Sequence, residues 1–264
     1  MLTAVKNQIK VTAMSIKYAL MRQMINKVTF IMNILFMILN NGSFLIQWII
    51  LFSIKDEVGG YGFKQVLLFW GIAAGIFGVS RFFFYKSFSL SDTINEGKLD
   101  SYLVQPKNVL ISVITSDVSV SALGDIIYGY IMLGIYGITV ENFLLFTFLI
   151  ICGGLTVTNI SVIFGSLSFW FSKSDVLMDT VNNLMVNFAT YPDGIFKGIT
   201  KIILYTIVPV GLVTYIPVNL IIHFNLKMFL VVIGVTLLFI SCAFFMFYKG
   251  LKRYSSSNLM ISKI

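Results

Sequence analysis

The stretch "SLSDTINEGKLDSYLVQPKNVL", Ser89 to Leu110, decides the fold, because it is the least apolar long segment of the chain and it divides two strongly hydrophobic blocks. Of the 264 residues, 58% are hydrophobic and 11% charged, against about 25% charged in soluble domains. That balance describes an all-α integral membrane protein. Apolar runs lie near Phe30–Phe52, Gln65–Tyr85, Leu123–Gly137, Phe143–Phe171 and Met228–Tyr248. They are close to or beyond the ~20 helical residues that cross ~30 Å of hydrocarbon. A polar segment after the second run is a loop on one face of the membrane, and knowing which face fixes the topology.

The cations supply that face. Residues 1–29 set Val5, Ile9, Val11, Met14, Ile16, Leu20 and Met21 against Lys6, Lys10, Lys17, Arg22 and Lys27, the pattern of a basic amphipathic helix lying on the inner surface. Five cations before the first apolar run do not suit a signal peptide. Span 1 (30–52) then runs outward, a loop at Lys55 to Gly60 turns the chain, and span 2 (65–85) returns it, with Arg81 and Lys86 at its inner end. The 89–108 segment is thus expected in the cytoplasm. Spans 3 (118–138) and 4 (143–171) form a hairpin about Glu141 and Asn142 that ends at the turn Ser172 to Asp175.

The region before span 6 (226–248) has two readings. Either 176–191 is span 5 and 192–217, broken by Pro209 and Pro217, is an outer re-entrant segment, or 202–222 is the span. Both give six crossings, with the tail 249–264 inside. Under the first reading Lys55, Lys64, Lys197, Lys201 and Lys227 lie outside and the remaining cations inside; the second moves Lys197 and Lys201 inward, which the positive-inside bias slightly favours. The +8 net charge thus reads as orientation and anionic-lipid contact rather than nucleic-acid binding.

Polar residues inside the spans are few and patterned. Asn33, Asn40 and Gln47 recur every seven residues, so they drift only about 20° per step and share one helix face. Asp179, Asn183, Asn187 and Thr190 repeat the pattern in the candidate fifth span. Such stripes bond to neighbouring helices, line a polar passage, or do both at a subunit interface. Asp117 and Asp125 flank the start of span 3, where a structural role weighs against a substrate or proton role. Gly71, Gly75 and Gly78 form a small-residue packing face. Cys152 and Cys242 fall in apolar runs and are assigned no disulfide, and the single histidine, His223, has no partner at metal-ligand spacing. The chain contains no G-x-x-x-x-G-K-[ST], H-E-x-x-H or G-x-S-x-G; it is not expected to be an enzyme, and any ATP chemistry would come from another chain.

Within the opening stretch, Ser91 or Asp92 is placed to cap a short helix carrying Ile94, Asn95 and Glu96, Gly97 to end it, and Leu99, Tyr102 and Leu103 to form an apolar face before Pro106. That shape suits docking into a groove on a soluble partner; the alternative is an interfacial loop lying on lipid. The run "INEGKLDSYLVQP", Ile94 to Pro106, resembles the first cytoplasmic loop of ABC-2 type transporter permeases of the six-span, type V exporter-like kind. "YPDGIFKGITKIILYTIVPVGLVTYIP", Tyr191 to Pro217, is similar to a second hallmark of that branch: Tyr-Pro after span 5, an amphipathic stretch and a proline-broken segment.

The resemblance implies a permease without ATPase activity, paired with a second permease as homodimer or heterodimer and driven by two copies of a cytoplasmic ATPase that binds ATP and Mg. It implies a coupling helix at Ser91, Asp92, Ile94, Glu96, Leu99, Tyr102 and Leu103, stripes at Asn33, Asn40, Gln47, Asp179, Asn183, Asn187 and Thr190 that face a path or dimer seam, and an outer gate at Tyr191, Pro192, Pro209 and Pro217. It favours the re-entrant reading of 192–217 and export of a drug, lipid-like molecule or peptide across a bacterial plasma membrane, with both termini inside. Two other classes remain: an ion-coupled secondary transporter, for which no inverted repeat is visible, and a non-transporting scaffold or immunity-type protein that only binds a partner.

Overall fold

The computed structural model describes residues 2–171 and 174–255, with side chains from residue 5 onward. The expected turn at Ser172 and Lys173 and the tail residues 256–264 lie outside the described residues. The rest is helical: α1 Leu2–Gln23, α2 Lys27–Ser43, α3 Leu45–Phe52, α4 Phe63–Phe83, α5 Leu90–Asn95, α6 Asp100–Leu103, α7 Val109–Ile114, α8 Ser121–Tyr136, α9 Val140–Ser166, α10 Ser174–Ala189, α11 Gly198–Thr206, α12 Ile216–Ile222 and α13 Leu226–Leu251. Short polar side chains start several of them by accepting from the exposed first-turn N–H groups: Asn26 from Thr29 (3.1 Å), Asn108 from Ile111 (3.0 Å), Thr139 from Asn142 (3.1 Å) and Asn225 from Lys227 (2.9 Å).

Among the described residues four helices are long and apolar enough to cross a membrane: Lys27–Phe52, Phe63–Phe83, Val140–Phe169 and Leu226–Leu251. The first is α2 and α3 joined at Phe44. Helices α8 and α10 have 16 residues each, a rise of roughly 24 Å. Gly198–Thr206 and Gly211–Ile222 form a pair bent by 78°. Pro209 lies in the break, where a missing N–H and a fixed φ end the helix, and Pro217 sits in the first turn of α12, where proline is tolerated.

Helix α4 is the centre of the bundle, with 83% of its apolar stretch buried against 6% for Lys27–Phe52. Its glycines explain the burial. A methyl at Gly71 would lie 2.8 Å from Met132 Cβ, one at Gly78 3.0 Å from the Ala122 carbonyl, and one at Gly75 2.7 Å from Ile150. The expected small-residue face is thus the surface on which α8 and α9 close against α4. On the other side of α8, Gly124 meets the Ile34 carbonyl of α2. Interhelical hydrogen bonds add to this packing: Tyr130 to Thr147 (2.9 Å), Thr156 to Thr236 (3.1 Å) and Ser161 to Asn182 (3.0 Å), each worth roughly 0.6 kcal/mol in a bilayer.

Candidate functional site

Helices α2, α3, α4, α8 and α10 enclose an open cavity of about 390 Å³, the size of a small-ligand site. Met37, Asn40, Asn41, Phe44 and Gln47 form one wall, Val186, Asn187, Thr190 and Tyr191 of the α10 side form the other, and Trp70, Ala73, Ala74, Phe77 and Arg81 of α4 form the floor. Asp125 of α8 closes the wall beneath Asn41, whose Nδ2 donates to its Oδ1 at 2.6 Å. A second cavity of about 330 Å³ shares Arg81 and continues past Tyr85, Ser119 and Asn182 to Asp179 and Asn183. Together they make a groove along one side of the bundle.

Both sequence stripes converge here, with one exception. Asn40, Gln47, Asn187 and Thr190 line the first cavity and Asp179 and Asn183 the second, whereas Asn33 is exposed on α2 outside both. The side chains of Asn33, Asn40, Gln47, Asn183 and Asn187 make no hydrogen bond among the described residues. Interhelical bonding is carried instead by their neighbours Asn41 and Asn182, so in the single chain the stripes are lining rather than glue.

The 89–108 segment departs from expectation in its local geometry. Helix α5 starts at Leu90, so Ser91 and Asp92 lie in its first turn and do not cap it; the expected stop is real, because Gly97 has φ +71°, a left-handed conformation that glycine adopts freely. Ile94 and Leu99 are buried, packed with Leu110, Val113, Val162 of α9 and Phe247 of α13. Leu99 therefore belongs to the core and not to an outward docking face. Tyr102 is half-buried, and the outward apolar residues are Leu103 and Val104, the latter 84% exposed, beside exposed Asp92 and Glu96. Glu96 pairs with Lys98, whose ammonium pKa that pairing raises.

This loop is tied to the rest of the chain on every side. Ser91 Oγ lies 2.6 Å from Ser168 Oγ and 3.4 Å from Ser174 Oγ, and Ser168 and Ser174 bond to each other, which joins α5 to the end of α9 and the first residue of α10. The Asn108 N–H donates to Gln8 Oε1 (2.9 Å) and Ser15 Oγ to the Thr115 carbonyl (3.0 Å), which holds α1 against the loop. Past the last span, Tyr254 OH donates to Asp100 Oδ1 (3.0 Å); burial first and then that carboxylate push the phenol up to about 12. Arg22 and Asp117 form an ion pair at 2.7 Å.

A profile describing ABC-2 family transporter proteins matches residues 38–258. The chain belongs to the ABC-2 transporter family. It is accordingly a multi-pass permease subunit of an ABC transporter, and membership implies an ABC ATPase as its partner. The match omits α1 and the first turns of α2. Comparison with curated proteins and with solved structures gave no match.

Around the connection from α10 to α11 the expected gate residues separate. Tyr191 lines the groove, its ring 5.8 Å from that of Trp48, whereas Pro192, Pro209 and Pro217 are buried and shape the bend. The polar centre of this connection is Asp193, which sequence reading left aside. Its Oδ1 accepts from Tyr61 OH (2.7 Å) and its Oδ2 from Lys201 Nζ (3.2 Å), while Tyr61 also donates towards Asn219 Oδ1 (3.2 Å). Burial, and then the bond to Asp193, push the Tyr61 phenol up to about 12. The loop between α3 and α4 is thereby clasped to the proline-broken segment. Asn41, Arg81 and Trp70 were also missed; the signal for Asn41 was its seven-residue neighbour pattern, one position out of register with Asn40.

Proposed function

We propose that this permease is the membrane half of an exporter whose amphipathic substrate moves along the groove between α2–α3 and α10, and that ATP is hydrolysed only by the partner ATPase. The observation that carries the reading is the link from loop to groove: Ser91 of α5 reaches Ser174, the first residue of the helix that forms one wall. Nucleotide-driven closure of the ATPase, pushing on Leu103 and Val104, would tilt α10 and change the groove's width. A second six-span permease, in the simplest case another copy, covers the groove; an unpartnered amide in hydrocarbon costs roughly 2–7 kcal/mol, and Asn33, Asn40 and Gln47 are exposed on a helix otherwise suited to lipid. Six crossings, cytoplasmic termini, a bacterial plasma membrane and a re-entrant Gly198–Ile222 segment complete the proposal.

The test is purification of the tagged chain from its native membrane in mild detergent, with identification of bound proteins and an ATP hydrolysis assay. A bound nucleotide-hydrolysing subunit that is lost in the Leu103→Asp, Val104→Asp double variant, with the variant still inserted and folded, supports the coupling surface. Retention of full ATP-driven transport by that variant removes it. An eluate without any ATPase moves the weight to a partner-binding scaffold, and transport that persists without ATP but collapses with the proton gradient to a secondary transporter.

A further inference from the structure

The charges along the groove run against those of the chain. Overall there are 19 Lys and Arg against 11 Asp and Glu, yet the groove lining carries two carboxylates, Asp125 and Asp179, and a single cation, Arg81. Arg81 acts on Asp125 through charge at a distance, but the two form no salt bridge. The three ion pairs among the described residues lie elsewhere, and the Asp125 carboxylate, 6% exposed, is held by the neutral amide of Asn41. The guanidinium of Arg81 stands over the rings of Phe77 (5.9 Å) and Phe88 (5.5 Å), a placement that satisfies a cation through ring faces without a carboxylate. A buried carboxylate with no salt-bridged cation is costly in a membrane and marks a functional candidate. Around it the first cavity is aromatic and amide-rich: Phe44 stacks on Trp70 at 5.4 Å, and Asn40 and Gln47 stand at the rim.

We infer that the groove takes an amphipathic organic cation, its positive centre at the Asp125 carboxylate and its apolar body against Phe44, Trp70 and Tyr191. This rests on the reading of the groove as the transport path and narrows it to one class of substrate. A buried carboxylate at the wall of an open cavity discriminates by sign: it attracts an ammonium or phosphonium and repels an anion of the same shape, a difference that water screens less than at an exposed surface. Asp179, farther along the same groove, gives the cation a second, more exposed anionic stop.

Tetraphenylphosphonium and tetraphenylborate test the sign directly, because they have nearly the same size and shape and opposite charge. With purified full-length protein in mild detergent, radiolabelled tetraphenylphosphonium is expected to bind saturably, tetraphenylborate to displace it poorly, and Asp125→Asn to weaken binding at least tenfold. Asp117→Asn, in the cytoplasmic loop, is expected to leave affinity unchanged. Equal displacement by tetraphenylborate, or unaltered affinity in Asp125→Asn, overturns the inference. Should Asp125→Asn fail to fold, the comparison of the two ions on the unsubstituted protein decides alone: no saturable phosphonium binding, or preference for the borate, refutes it. The ATPase pull-down separates the two levels. A bound ATPase with no cation binding sinks the substrate class and leaves the permease reading intact, whereas cation binding without ATPase or ATP-driven movement supports the site and sinks the transport path.

Discussion

Replacing Gly129 by alanine should loosen the bundle at its centre. The new methyl would lie 2.8 Å from the Gly71 carbonyl oxygen and 3.2 Å from the Gly75 nitrogen, whereas relaxed carbon–oxygen contacts begin near about 3.3 Å. Both obstacles are backbone of α4, so no rotamer change relieves them, and α8 must move away by about half an ångström along a face that Gly71, Gly75 and Gly78 share. Overpacking of this kind costs roughly 1–3 kcal/mol. Gly234, in the middle of α13, is the control: nothing lies within 4 Å of its added methyl, and alanine there should stabilise by about 0.5–1 kcal/mol through lower backbone entropy in the unfolded chain. The pair should therefore differ by roughly 1.5–4 kcal/mol, read as denaturation midpoints in one detergent. Since α4 carries the floor of the groove and α8 carries Asp125, Gly129→Ala should also reduce transport more than its loss of folded protein explains. Equal midpoints for the two variants would refute the close-packing argument.

Leu99→Asp should unfold or fail to insert, losing more than the roughly 2–5 kcal/mol of a Leu→Ala cavity, because Leu99 is fully buried; recovery of folded protein at wild-type yield would put Leu99 outside the core. Arg22→Ala should change the unfolding midpoint by less than about 1 kcal/mol and by less still at high salt, as expected of an ion pair whose arginine is 61% exposed. Alkaline denaturation should be shallower in Tyr61→Phe. Burial, and then the bond to Asp193, push the folded phenol from its ordinary value near 10.0 up to about 12, so its stabilisation is complete below pH 10 and is lost as the pH rises towards 12. Identical pH profiles for the two proteins between those limits would count against the clasp at Asp193.

Composition and run length made the all-α membrane class legible, because both follow from the apolar solvent around the chain. The seven-residue recurrence of Asn40 and Gln47 was enough to bring them to one groove. What periodicity does not contain is which of two adjacent amides points inward: Asn41 meets Asp125 while Asn40 stands at the rim, a choice set by the close approach of α2 to Gly124 of α8. The same limit applies to Leu99. An apolar residue in a polar loop reads as a docking face until α9 and α13 are known to end beside it and supply Val162 and Phe247 as its neighbours. Asp193 was passed over because its partners, Tyr61 and Asn219, come from segments far apart in sequence.

The burial of Ile94 and Leu99 changes how a push on the loop can act. A surface peg would yield by bending at its own ends, but a loop whose core side chains are shared with α9 and α13 moves as part of the bundle's inner end. Its sideways freedom is further reduced by Tyr254 on Asp100 and by Gln8 on Asn108. The compliant direction is then through Ser91 to Ser168 and Ser174, at the junction where α9 gives way to α10. Helix α10 rises roughly 24 Å from that point to Ala189, beside Thr190 and Tyr191. A tilt of about 10° at its base would therefore move the far wall of the groove by about 4 Å, comparable to the diameter of a methylene chain. The far end of that helix is held as well, by Tyr215 OH on the Phe188 carbonyl (2.9 Å), so such a tilt would carry the Gly211–Tyr215 segment with it.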